Sequence, residues 1–89
     1  MAYDYQTERP RLFTDDGQRK FLQVRDKVAA MLDESGAVMH GNLRLTGDSW
    51  LTLACVDRMI ELGEIVEITG PNVMGQHRVF VKPGTATAA

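Results

Sequence analysis

Residues 47–63, GDSWLTLACVDRMIELG, carry both a start and a stop signal and predict a single helix of about four turns. Asp48 or Ser49 can accept hydrogen bonds from the free amides of the first turn, and Gly63 can take the left-handed conformation that ends a helix. At about 100° per residue, Leu51, Thr52, Cys55, Val56, Met59 and Leu62 fall on one side, with Leu53 and Ile60 at its margin. Trp50, Ala54, Asp57, Arg58 and Glu61 fall on the other. The first set predicts a core face and the second an outward face.

The 89 residues suffice for one domain, and such a chain buries only about 60–65% of the surface its unfolded form exposes. A large enclosed active site is therefore not expected. With 44% hydrophobic and 25% charged residues the composition is that of a globular protein. Ten Lys and Arg against twelve Asp and Glu give a net charge of −2, so binding to phosphate would have to come from a local basic patch. The single cysteine, Cys55, excludes an internal disulfide and a cysteine-based zinc site, and its place on the apolar helix face marks it as a small buried hydrophobe. No apolar run approaches the roughly 18 residues of a membrane span, and no basic region followed by an apolar one opens the chain. The expectation is a cytoplasmic protein with no membrane contact and no cofactor.

Residues 1–13 show no sustained period and hold Pro10 between Arg9 and Arg11, which predicts an N-terminal arm that Tyr3 and Tyr5 could dock on the body. Thr14 and Asp15 open a helix, with Asp15 and Gln18 in capping-box spacing. Its buried stripe is Phe21, Val24, Val28, Met31 and Leu32, and residues 33–36 end it. Residues 37–39 fit a brief strand and residues 40–45 a helix of one or two turns weakened by Gly41. Residues 64–68 and 78–82 read as two strands of an antiparallel hairpin, with Val79 and Val81 alternating against Arg78, Phe80 and Lys82. The loop at 69–77 is longer than a tight turn needs, so it projects. Residues 83–89 predict a flexible C-terminal tail.

This order resembles a winged helix-turn-helix domain across residues 15–82, an α+β fold of three helices with a small antiparallel hairpin wing, within a domain spanning 14–82. The part that carries the resemblance best is Val56-x-x-Met59-x-x-x-Gly63-x-Ile65, a helix end, a glycine cap and entry into the wing. The resemblance implies a recognition helix at 49–62, a supporting helix at about 40–45 and a wing at 69–77. It implies a transcription-regulatory protein binding double-stranded DNA through the wing and the first turns of the recognition helix. Many winged helices bind proteins, so the fold does not select between these uses.

Two readings follow from the residues. For DNA, the donors are Arg44, Ser49, Trp50 and Arg58 around the helix and Asn72, Gln76, His77, Arg78 and Lys82 on the wing. Against it, the outer helix face sets one base, Arg58, beside Asp57 and Glu61. For a protein partner, Trp50, Ala54, Asp57 and Glu61 form an adaptor or inhibitor face anchored by an exposed tryptophan; the same ring could instead fold over Leu45 or the wing and complete the core. His40 and His77 stand in no nucleophile or metal-ligand spacing, and Gly70, Pro71, Asn72 and Gly75 form no phosphate-cradling loop, so no catalytic or metal site is expected. With no long helix after Lys82, the C-terminal coiled pairing of many winged-helix dimers is not expected, and a monomer or a homodimer through the arm or first helix remains.

Overall fold

In the computed structural model, which describes residues 2–45, 47–70 and 73–84, a hydroxyl and a carboxylate set the starts of the two long helices. Thr14 accepts a hydrogen bond from the Gly17 amide and opens α2 (Asp15–Ser35), so the cap lies one residue before the Asp15 of the expected capping box. Asp48 accepts from the amides of Trp50 and Leu51 and opens α3 (Ser49–Glu61). Both helices end on left-handed glycines, Gly36 and Gly63. After α3 the Gly63 amide donates to the Ile60 carbonyl and the Glu64 amide to that of Met59, the paired bonds that satisfy the last turn and aim the chain at the sheet.

Three strands form an antiparallel sheet in the order β1-β3-β2: β1 (Ala37–Met39), β2 (Val66–Glu67) and β3 (Val79–Val81). The expected hairpin is thus joined by β1 on the far side of β3, and its strands are shorter than 64–68 and 78–82. Val38 lies opposite Phe80, and Phe80 opposite Glu67, so these side chains share the face turned to the helices. Val38 and Phe80 are buried in one cluster with Val24, Val28, Leu43, Val56 and Ile65. The expected short helix at 40–45 is instead a single 3₁₀ turn, His40–Leu43, which Arg44 stops by entering the left-handed region at φ 51°. A second 3₁₀ turn, Gly75–His77, precedes β3. The described residues make an α+β fold, with the sheet and two long helices around one core.

The larger difference lies at the N-terminus. Residues 5–13 are not an extended arm but α1 (Tyr5–Glu8) followed by a 3₁₀ turn, Arg9–Phe13. Asp4 caps α1 by accepting from the amide and hydroxyl of Thr7, and Leu12 anchors the segment in the core at 3% exposure. This segment packs across α3 and widens that helix's buried arc. Ala54, expected on the outer face, is fully buried for that reason, whereas Leu62, expected in the core, is 46% exposed at the end of the helix.

Gly17 shows how close the approach is. A Cβ there would lie 1.8 Å from the Arg11 carbonyl oxygen, which is backbone and cannot swing aside. Helix propensity alone favours Gly→Ala by up to about 1 kcal/mol. The contact reverses the sign: Gly17→Ala is expected to destabilise the protein by about 1–3 kcal/mol, read as a lowered urea midpoint.

Candidate functional site

Two charge clusters tie the N-terminal segment, α3 and the sheet together. In the first, Arg78 follows the inward side of β3, two residues before Phe80, and its guanidinium stands 5.2 Å from the Phe80 ring centroid. Nη2 donates to Asp57 on α3 at 2.7 Å and to Glu67 on β2 at 2.8 Å. Thr69 also donates to Glu67, and the Tyr3 hydroxyl donates to Asp57 at 2.6 Å. Burial alone would lower the Arg78 pKa, but the bonds to Glu67 and Asp57 outweigh it and hold the guanidinium charged. Burial would likewise raise the Glu67 carboxyl, yet Arg78 and Thr69 bring it below its ordinary value. Burial and the bond to Asp57 push the Tyr3 hydroxyl well above the usual tyrosine range.

The second cluster centres on Glu61 in the last turn of α3. It accepts from Arg58 at 2.7 Å, from the Tyr5 hydroxyl at 2.9 Å and from Arg9 at 3.1 Å. Arg58 and Tyr5 hold its carboxyl below the ordinary value, while burial and Glu61 push the Tyr5 hydroxyl up to about 12. Arg11 extends the same segment to the start of α3, bridging Glu8 and the capping Asp48. The Arg11 contact and the capping amides lower the Asp48 carboxyl.

The residues expected to contact DNA therefore separate. Arg78 and Lys82 carry charge already matched by Asp57 and Glu67 and by Asp33, and Arg58 shares the Glu61 carboxylate with Arg9. Arg78 in particular points inward with 14% of its side chain exposed, because it lies on the Phe80 side of β3. Arg44 and Ser49 are exposed near the start of α3, and Gln76 and His77 are exposed on the 3₁₀ turn before β3. Asn72 of the expected wing lies outside the described residues, as do residues 85–89 of the expected tail.

The expected protein-binding face is not free either. Ala54 is buried, Asp57 meets Tyr3 and Arg78, and Glu61 meets Tyr5, Arg9 and Arg58. Trp50 is half-buried, between the two placements open to it from the sequence. Among the described residues, at least seven of the ten Lys and Arg side chains form ion pairs within the chain. Among the described residues no cluster of three or more His, Cys, Asp and Glu side chains could hold a metal ion, and no helix is long and apolar enough to cross a membrane. Cys55 is buried, and burial pushes its thiol up to about 11, which makes it a poor nucleophile.

The sequence reading overlooked the roles of Glu8, Arg9 and Arg11. Their only local signal is the Asp4-x-x-Thr7 cap, since Pro10 interrupts any period. Comparison with protein-family models, with curated proteins and with solved structures gives no match.

Removing the central guanidinium leaves two part-buried carboxylates facing each other. Arg78→Met is expected to lower stability by about 2–4 kcal/mol, a little under the cost of breaking a fully buried pair, with chemical denaturation as the measurement. His40 adds a pH dependence. Its Nδ1 is buried with no hydrogen-bond partner among the described residues, and burial, then Arg78, lower its pKa below the ordinary 6.5. The unfolded chain then binds the proton more readily than the folded one, so stability is full above about pH 6.5 and falls as pH drops through the folded value. Asp48, Glu61 and Glu67, lowered from 3.8, 4.5 and 4.5, add a separate loss below about pH 4.5. Denaturation midpoints measured against pH should show both windows, and His40→Asn should flatten only the upper one.

Proposed function

We propose that this chain is a non-enzymatic winged-helix module that recognises a protein partner. The winged-helix reading is supported by the order helix, strand, short turn, helix, strand, strand and by the sheet order β1-β3-β2. The observation that carries the choice of partner is that residues 3–13 of the chain itself lie over the outer side of α3. Tyr3, Tyr5 and Arg9 engage Asp57 and Glu61 there. A helix so covered cannot enter a major groove, and the bases that would grip phosphate are neutralised by nearby carboxylates. Large apolar side chains remain exposed instead: Phe13, Leu22 and Leu62 border one groove, and Ile68 and Met74 lie on the hairpin side.

A duplex-binding role would fall to Arg44, Ser49, Gln76 and His77. The 3₁₀ turn before Arg44 and the one that holds Gln76 and His77 pack closely, since a Cβ on Gly41 would meet the Gln76 carbonyl at 2.9 Å. Of these four side chains only Arg44 is a guanidinium with a permanent charge, too little for tight phosphate binding.

A duplex titration at low ionic strength separates the readings. The protein-binding reading predicts no saturable duplex binding that weakens with salt. Binding whose logarithm falls steeply with the logarithm of salt, and which Arg44→Ala weakens, would overturn it.

A further inference from the structure

We infer that residues 3–9 are a releasable strap that competes with a partner for the outer face of α3. The inference rests on the protein-binding reading above and says what regulates that site. The strap has little stability of its own. Its helix, α1 (Tyr5–Glu8), is a single turn of four residues, far short of the roughly 12–15 at which an isolated helix becomes marginal in water. Of residues 2–11 only Glu8 is buried, and Arg11 pairs with its carboxylate inside the segment. The rings of Tyr3 and Tyr5 rest on the margin of the core, whereas the apolar anchor, Leu12, lies beyond Pro10. Residues 3–9 can therefore lift while Leu12 and the close contact of Arg11 with Gly17 stay in place.

The helix face beneath keeps its charges satisfied without the strap. Asp57 accepts from the Tyr3 hydroxyl at 2.6 Å, but it also accepts from Arg78 at 2.7 Å. Glu61 accepts from Tyr5 and Arg9, and it also accepts from Arg58 at 2.7 Å. Each carboxylate thus has a cation that belongs to the body, so lifting the strap leaves neither of them unpaired. Lifting uncovers Ala54, Asp57, Arg58 and Glu61, on the side of α3 that the winged-helix reading assigns to recognition. The strap's own contacts define what can replace it: tyrosine hydroxyls and a guanidinium spaced to donate to Asp57 and Glu61. A partner segment offering those donors would take the strap's place, at an affinity lowered by the fraction of molecules in which the strap is closed.

The test titrates isotope-labelled full-length protein with a synthetic peptide of residues 2–10. Two variants loosen the protein's own strap: Tyr3→Phe combined with Tyr5→Phe removes two donated bonds, and Arg9→Glu sets a like charge beside Glu61. Both should keep their helices by far-ultraviolet dichroism. The expected result is that each variant binds the peptide at least about tenfold more tightly than wild type, with amide shifts centred on Asp57, Arg58 and Glu61. A peptide with both tyrosines replaced by phenylalanine should bind the variants at least about tenfold more weakly. Equal affinity in variants and wild type, equal affinity of the two peptides, shifts centred elsewhere, or no shifts in either variant at millimolar peptide would each overturn the inference. So would loss of helical dichroism in both variants, since the segment would then be part of the fold and no cover over it. None of these results involves a duplex, so the broader reading fails only by its own titration.

Discussion

Arg78 between Asp57 and Glu67 is the contact on which the arrangement depends. One guanidinium joins the central strand, the edge strand and the long helix, and Asp57 passes the connection on to Tyr3 in the N-terminal segment. The side chain is inward because it shares a strand face with Phe80, whose place opposite Val38 is set by core packing. Burial disfavours the charge, and two carboxylates restore it. Such a group is costly to leave unpaired, which fixes the relation of β2, β3 and α3 more firmly than apolar packing alone would.

That use of charge decides what the surface can offer. A chain with ten basic and twelve acidic residues has enough of each to pair, and it pairs them across elements: Arg11 with Asp48, Arg25 with Glu64, Arg9 with Glu61. Exposed pairs of this kind contribute little stability one by one. Their joint effect is to orient the N-terminal segment and to use up the cations that a nucleic acid would need. The surface left over is apolar at Phe13, Leu22 and Leu62, beside the Glu61 carboxylate that Arg9 and Arg58 share.

Local chemistry made much of the fold readable from the sequence. Asp48, Gly63 and the 3.6-residue period mark α3, and the stripe from Val24 to Leu32 marks α2, because caps and periodicity act within a few residues. Val79, Phe80 and Val81 announce β3, but alternation alone could not say that the Phe80 side, and with it Arg78, turns inward. The N-terminal segment was less readable. Its partners lie more than fifty residues away in the sequence, as Tyr3 does from Asp57 and Tyr5 from Glu61, and no local pattern encodes such a contact. Ala54 was misplaced for the same reason: a helical wheel counts one covering surface, and α3 has two. Gly17, a glycine in a first helical turn, is a further local trace of that second layer beside the Asp4-x-x-Thr7 cap.

The central claim is that residues 3–13 are docked across α3, and the two tyrosines of the chain, Tyr3 and Tyr5, both lie in that segment. Docking part-buries the Tyr3 hydroxyl, partly covers Tyr5 and gives each hydroxyl a carboxylate to donate to, so both should resist ionisation. The direct measurement is an ultraviolet absorbance titration of the tyrosines, with far-ultraviolet dichroism recorded on the same samples to confirm that the helices persist. The account predicts little tyrosinate around the ordinary value of 10, with Tyr5 ionising at about 12 and Tyr3 later still or only on unfolding. Two tyrosines ionising together near 10 while the helices remain intact would contradict it.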